Sequence, residues 1–354
     1  MNKKVAVILV NYKEYANKYL KDCLNGIRSQ DFSNDLKLYI VDNETSDKTF
    51  EYLKQEAPEA EIVRNIKNDG FAKGNNDAMK LAINSGYEYV VLLNMDAVAE
   101  KSAISELVKA ADSNDSIASV QSRLMLYDEK DKINSVGNET HFLGFGYCRG
   151  YNDLYEESKV KNLSNIFYPS GAAVLFKASA LKKSGLFDED YFMYNEDQDI
   201  AWRIWLSGGL CVLAKDSIVY HKYEFSRSIK KYYFMDKNRI ITCLKNYKIV
   251  TLLVFFPAFI IMELGLFYFA IKNKWLKEKI RVWSLFFSFN FWAYITRKRA
   301  EVKKIRVVRD SYILRMAKGS IFYQEISSPL LSFANFFLNI YFLLARFILK
   351  TFKI

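Results

Sequence analysis

Residues 188–199 read Asp-Glu-Asp-Tyr-Phe-Met-Tyr-Asn-Glu-Asp-Gln-Asp. Six carboxylates in twelve positions repel one another, which raises the proton affinity of some unless cations or hydrogen bonds offset it. The interleaved aromatics should shelter part of the run, and a sheltered carboxylate suits general-base chemistry. A solvated acidic loop is the plain alternative, and the aromatics count against it. The helix-like Ile200-Ala201-Trp202-Arg203 follows, with Arg203 available to a phosphate.

Three other places carry side chains of use. Asn94-Met95-Asp96 closes an apolar run, and one Asp at a strand end is enough for a hard cation that also binds substrate phosphates. His221, after Ile218-Val219-Tyr220, reads as a structural histidine alone and as a second metal ligand beside Asp96. Asp42, in Val41-Asp42-Asn43-Glu44-Thr45-Ser46-Asp47, can accept from the N–H of a base or from a ribose hydroxyl, or can simply precede a helix cap. Asn68-Asp69-Gly70-Phe71-Ala72-Lys73-Gly74-Asn75-Asn76 joins two glycines to a helix start, where a phosphate is favoured, but lacks the G-K-[ST] of a P-loop.

These residues need elements to position them. Val5–Val10 is continuous and mostly β-branched, as a strand covered on both faces reads. Residues 15–30 have helical spacing through Tyr19, Leu20, Leu24 and Ile27. Strands at 36–41, 62–63 and 89–93 alternate with helices at 47–57 and 71–82, with Thr45 or Ser46 as a cap. That rhythm predicts an α/β fold on a mostly parallel sheet with right-handed crossovers. Ligands then bind beyond the carboxyl ends of the strands, where 11–13, 42–47 and 94–96 fall. Residues 100–165 are less regular, with a helix, an edge hairpin and a loop, and 168–176 reads as a loop entering a strand.

The chain has 354 residues, a soft prior for two domains. Residues 1–221 carry 26 basic and 33 acidic side chains, whereas 222–354 carry 25 basic and 7 acidic. The basic tail predicts an anionic partner, and its Phe and Tyr content favours a membrane surface over nucleic acid, for which no recognition signature is present. Four scattered cysteines indicate neither a disulfide framework nor a zinc site, and two histidines exclude a multi-histidine metal site. Asn11 and Lys13 interrupt the first apolar stretch too early for a signal peptide, so the body is expected in the cytosol. In the tail, 249–271 is long enough to span a bilayer with one charge, Glu263, and one Pro257. A shorter apolar stretch at 282–296 precedes the basic 297–318. Residues 330–349 are apolar except for a stripe of Asn335, Asn339 and Arg346, extended by Ser328, Ser332, Lys350 and Lys353. That pattern fits a helix in the membrane interface, or one packed on a partner.

Taken in order, V-I-L-V-N-Y (7–12), V-D-N-E-T-S-D (41–47), N-D-G-F-A-K-G-N-N (68–76), L-L-N-M-D (92–96), P-S-G-A-A-V-L-F (169–176), G-L-F-D-E-D-Y-F-M-Y-N-E-D-Q-D (185–199) and H-K-Y-E-F-S (221–226) resemble glycosyltransferase family 2, most closely its rhamnosyltransferase-type bacterial members. The resemblance implies a GT-A (Rossmann-like) domain over 1–225; the tail lies outside the family pattern, and its own composition predicts 226–354 as a mostly α-helical, membrane-associated region. It implies inverting transfer of one sugar from a UDP- or dTDP-linked donor to a glycan or lipid-linked acceptor in surface polysaccharide assembly, at the cytoplasmic face of the membrane. It also implies roles. Asp197 would be the catalytic base with Glu196 beside it. Asp42 would recognise the base, and Asn11, Tyr12 and Asn75 would line the nucleoside pocket. Asp96 and His221 would hold Mg²⁺ or Mn²⁺ on the diphosphate, and Gly171 would line the acceptor side. Asn94 replaces the first Asp of the family's D-x-D, and Met95 stands where Pro is usual. The Q-x-x-R-W of processive members is absent, which favours single-sugar addition. Two other readings stay open. A non-catalytic nucleotide-sugar-binding module would not need both Asp96 and Asp197. A nucleotidyltransferase would want a second metal carboxylate where Asn94 stands.

Overall fold

A computed structural model describes residues 3–223, 232–322 and 329–354. Glu224, Phe225 and Ser226 of the last motif, the expected boundary at 225/226, and Ser328 of the polar stripe lie outside the described residues. The chain divides into two compact units. One comprises Met1–Asn138, Cys148–Ile204 and Gly209–Tyr223; the other comprises Glu139–Tyr147, Trp205–Gly208 and Glu224–Ile354.

The first unit begins β1 (Lys4–Tyr12), α1 (Tyr15–Arg28), β2 (Asp35–Asn43), α2 (Asp47–Glu56), β3 (Glu61–Asn65), α3 (Gly70–Asn84) and β4 (Tyr89–Leu93). β1 runs parallel to β2 and β4, and β2 parallel to β3, as the strand–helix alternation predicts. Val5 through Leu9 are buried on both sides of the sheet, which is why the run is unbroken by polar residues. Tyr19, Leu20, Leu24 and Ile27 face the core from α1, each worth about 1.5–3 kcal/mol when fully buried. Ser46 caps α2, its hydroxyl accepting from the Thr49 amide at 3.2 Å.

Beyond β4 the expectation of a mostly parallel sheet fails. The chain continues through β5 (Ala97–Ala99), α4 (Ala103–Asp112), β6 (Ile117–Leu126) and β7 (Ile133–Ser135). A two-stranded ribbon follows, β8 (Asn138–Thr140) with β9 (Gly146–Cys148), then β10 (Ala173–Lys177), α5 (Ala178–Ser184), α6 (Glu196–Leu206) and β11 (Leu210–His221). The main sheet has the order β3-β2-β1-β4-β10-β6-β11-β5, with β7 on β6. β10 enters antiparallel between β4 and β6, and β5 and β7 also pair antiparallel, so the sheet is mixed. β6 escapes a hydropathy reading because Ser119, Gln121 and Ser122 interrupt it. All three are buried, and two find partners there: Gln121 donates to Ser135 O at 3.2 Å, and Ser122 meets Ser217 at 2.8 Å.

The second unit contains α7 (Tyr232–Asn246), α8 (Ile249–Lys272), α9 (Leu276–Ser284), α10 (Phe289–Ile305), α11 (Asp310–Ile313) and α12 (Pro329–Thr351). The apolar 282–296 stretch is thus two helices and a turn rather than one element. By length and composition, α8 and Leu331–Thr351 of α12 could each cross a membrane. Glu263 is the exception in α8, and it is matched. Arg239 Nη2 reaches Glu263 Oε1 at 2.6 Å and Asp236 Oδ1 at 2.6 Å. Lys279 Nζ reaches Glu263 Oε2 at 2.6 Å and Asp236 Oδ2 at 2.7 Å. The Trp283 indole N–H also donates to Glu263, at 2.8 Å. Two anions and two cations form a closed, buried, neutral network joining α7, α8 and α9.

Breaking such a network costs more than its making gains, because removing one member strands the others in low dielectric. Glu263→Ala is expected to cost about 3–5 kcal/mol, measured by denaturant unfolding of the full chain. A loss below about 1 kcal/mol would show that the network behaves as a solvated surface pair.

Candidate functional site

The antiparallel bridge between Ala97 of β5 and His221 of β11 brings together two residues far apart in sequence. It sets His221 Nε2 3.2 Å from Asp96 Oδ1. The Tyr15 hydroxyl, at the start of α1, donates to Asp96 Oδ2 at 2.5 Å. Asn134 Oδ1, from β7, lies 3.0 Å from His221 Nδ1. A proton on Nε2 lets His221 donate to Asp96, whereas a proton on Nδ1, toward Asn134, would leave the Nε2 lone pair for a cation beside Asp96. Burial pushes the Asp96 carboxyl up, but His221 and then Tyr15 outweigh it, and the group ends below its ordinary value. Asp96 Oδ1 is buried with no hydrogen bond among the described residues. An unpartnered carboxylate oxygen facing an imidazole nitrogen is a donor set that suits a divalent cation. Among the described residues no cluster of three or more His, Cys, Asp or Glu could hold a metal. The pair therefore fits a cation that takes its remaining ligands from a bound phosphate, as Mg²⁺ commonly does.

The acidic stretch is held by strained backbone. Phe192, Tyr194 and Asn195 adopt left-handed φ of 64°, 70° and 64°. Such conformations cost about 1–3 kcal/mol each and persist only where surrounding contacts over-determine them. The contacts here are specific. Phe192 O accepts from the Ala72 amide at 3.1 Å, while Asn76 both donates to Phe187 O at 2.9 Å and accepts from Phe187 N at 3.0 Å. Gly70, at φ +83°, leaves the room this needs, since a Cβ there would sit 2.5 Å from Phe192 O.

The turn delivers Glu196 and Asp197 at the start of α6. Asp197 is partly open, and its oxygens accept from the amides of Gln198 at 2.8 Å and Gly171 at 3.3 Å. Burial pushes its proton affinity up, and the two amides hold the rise to about 6. Glu196 is buried, and Oε2 has no partner among the described residues. Burial and the Asp197 charge push its carboxyl well above the ordinary range. Gly171 is tied to the Asp96 side of the site by its neighbour, because Ala172 O accepts from the Asn94 amide at 2.9 Å.

Arg203 requires a correction. It does not face a ligand: its guanidinium is buried and bound to Asp199 at 3.0 Å, to Gly185 O at 3.1 Å, to Leu186 O at 2.8 Å and to Ser184 O. Four of its five N–H donors are taken in this way, and it anchors the start of the acidic stretch. At the start of α3 two of the first-turn amides are also taken within the protein. The Gly70 amide donates to Asn68 Oδ1 at 2.9 Å and the Ala72 amide to Phe192 O.

At the ends of β1 and β2, Asn11 donates to Asp42 at 3.0 Å and accepts from the Ala16 amide at 2.9 Å. Asp42 is fully buried and also takes the Thr45 hydroxyl at 2.5 Å, so a base can reach it only if Thr45 rotates away. Tyr12 is 42% exposed beyond β1, and Asn75 is buried with its amide on Phe71 O at 2.9 Å. Reading the sequence missed Tyr15, Asn134 and the clamp made by Asn76. Only Asn76 carried a signal, as part of the Gly-Asn-Asn stretch.

A profile described as "Glycosyl transferase family 2" matches residues 6–185, just over half of the 354-residue chain. No protein of curated function matches the sequence. Among solved structures, S. aureus TarS 1-349 in complex with UDP is 15% identical with a TM-score of 0.51, over 98% of this chain and 91% of that one. A structure of S. aureus TarS is 17% identical with a TM-score of 0.51, over 92% of this chain and 57% of that one. GalNAc-T7 with UDP, GalNAc and Mn²⁺ is 14% identical with a TM-score of 0.51, over 63% of this chain and 43% of that one. At these identities the likeness concerns the fold, the GT-A α/β arrangement.

The Glu196 environment sets a sign that can be measured. Its folded affinity for a proton exceeds its unfolded one, so the wild type loses stability as pH rises from the ordinary glutamate range through the raised folded value. Glu196→Gln keeps the neutral form at every pH. Its melting temperature relative to wild type should therefore climb between pH 5 and pH 8, read by scanning calorimetry. A difference that stays flat over that interval would mean that the fold does not raise the proton affinity of Glu196.

Proposed function

The chain belongs to glycosyltransferase family 2, and on that premise we propose that it moves one sugar, with inversion, from a nucleoside diphosphate-sugar to a hydroxyl of a glycan or lipid-linked glycan. The observation that carries this reading is Asp197. It is a carboxylate with a raised proton affinity, held by two backbone amides and partly open to a ligand.

The acceptor oxygen forms its bond to the anomeric carbon as the bond from that carbon to the diphosphate oxygen breaks. Asp197 takes the hydroxyl proton as the bond forms, a contribution of about 10²–10⁴ in rate. The raised proton affinity of Glu196 limits a second negative charge beside it. Gly171 fixes the carboxylate from the acceptor side. Asp96 and His221 would hold Mg²⁺ or Mn²⁺, whose charge offsets that of the departing diphosphate. Asn134 keeps His221 in the tautomer that task needs. Asn11, Tyr12, Asp42 and Asn75 line the donor end, and the donor is UDP- or dTDP-linked. A rhamnosyl- or other hexosyltransferase working on a surface polysaccharide intermediate, at the cytoplasmic face of a membrane, suits both the motif pattern and the basic, apolar second unit.

Release of nucleoside diphosphate from UDP-, dTDP- and GDP-sugars, with Mg²⁺ or Mn²⁺ and with membrane extract as acceptor source, tests the reading. One donor is expected to turn over. Asp197→Asn should cut transfer by about 10²–10⁴ while leaving nucleotide binding in place, and Asp96→Ala should remove the metal dependence of nucleotide binding. Nucleotide binding without turnover of any donor would overturn the reading in favour of a binding module.

A further inference from the structure

The two long helices of the second unit are arranged opposite to those of a water-soluble protein. In α12, Asn335 turns inward, accepting from Ile321 N at 2.7 Å and donating to Ile321 O at 2.8 Å. Asn339 touches Gly319 but is itself exposed, while Phe342, Ala345 and Leu349 are buried. The opposite face, including Phe336, Phe337, Leu343, Leu344 and Phe347, is exposed. In α8, Thr251 and Glu263 point inward with Phe255 and Ala258, while Leu253, Phe256, Ile261, Leu264 and Tyr268 are exposed.

The two exposed faces belong to one packed body. The Tyr341 hydroxyl of α12 donates to Val254 O of α8, and Phe142 packs on Phe255, Tyr341 and Phe342. The patch extends to the turn between α9 and α10, where Phe287 and Phe289 are 89% and 86% exposed. Trp283 links that turn to α8, through Phe286 on one side and Phe259 and Phe267 on the other. So large an apolar surface calls for a covering.

Charge identifies what covers it. Asp236, Glu263 and Asp310 are buried against Arg239, Lys279 and Arg306, which removes three of the tail's seven acids from the surface. Lys272, Lys274 and Lys277 stand exposed past the end of α8, and Lys350 and Lys353 at the end of α12. Cations on long stems at the rim of an apolar face match an anionic leaflet.

We propose that α8, α12 and the Phe287–Phe289 turn lie in the plane of one anionic membrane leaflet, and that neither helix crosses the bilayer. Length alone would let α8 cross. Its inner face forbids it: near its midpoint it is bound through Glu263 to α7 and α9, and α9 exposes Lys277 and Arg281. Crossing would draw those helices into the hydrocarbon, where a central Lys or Arg is costly. In-plane seating buries the outer face and leaves the network on the protein side.

This deepens the membrane location of the functional reading but needs neither donor nor acceptor, so it can fail while sugar transfer stands. The full chain is added to preformed vesicles of phosphatidylglycerol with phosphatidylcholine, or of phosphatidylcholine alone, and flotation is measured. Binding is expected to the anionic vesicles and to weaken with salt. The double variant F287S/F289S, altered only at exposed positions, should bind at least about tenfold more weakly. An impermeant thiol reagent outside the vesicles should modify both Lys248→Cys and Lys272→Cys, above the background of the native cysteines. If one of them is protected until detergent is added, α8 spans and the proposal fails. If neither vesicle type is bound and the chain self-associates through the Phe287–Phe289 surface, the covering is a second copy and the proposal also fails.

Discussion

The Ala72 amide donates to Phe192 O at 3.1 Å, and this bond ties the start of α3 to the acidic turn. Around it the Asn76 side chain grips Phe187 from both sides, and Arg203 holds residues 184–186. These contacts support three left-handed non-glycine residues in a four-residue stretch, which free backbone would relax. What the strain maintains is the emergence of Glu196 and Asp197 at the head of α6, one carboxyl shut in, the other partly open. Two adjacent acids in unlike surroundings divide the labour: burial raises the proton affinity of both, and backbone amides hold that of Asp197 near neutrality.

The second unit follows a related logic. A glutamate in the middle of an apolar helix is costly alone, but here it draws an arginine, a lysine and an aspartate into a neutral network. Thr251 and Glu263 of α8 and Asn335 of α12 are turned toward protein, and large apolar side chains of both helices face outward. That inversion makes sense only if something other than water meets the outer face.

Much of this was legible from sequence because some patterns have a single physical meaning. The unbroken apolar β1 and the 3.6-residue spacing of α1 led directly to elements of nearly the same extent. β6 was not legible, since its buried Ser119, Gln121 and Ser122 look like loop residues until Ser135 and Ser217 are in place beside them. The antiparallel entry of β10 was hidden for the same reason. The Asp96–His221 contact depends on a strand bridge between distant segments, so only the family resemblance could pair them. Arg203 looked like a phosphate ligand because an exposed-type residue near acids invites that reading, whereas the fold uses it up on backbone carbonyls. In α12 the polar stripe was visible at once, but nothing in its spacing says which side of a helix faces the protein.

The central claim is that Asp197 is the group whose ionisation permits sugar transfer. The most direct measurement is the pH dependence of kcat for transfer at saturating donor. A base works only when deprotonated, so the rate should be level above neutrality and fall about tenfold per pH unit below an apparent pKa near 6. A profile that stays flat down to the ordinary aspartate range would contradict the account, because the proton would then be leaving by way of some other group.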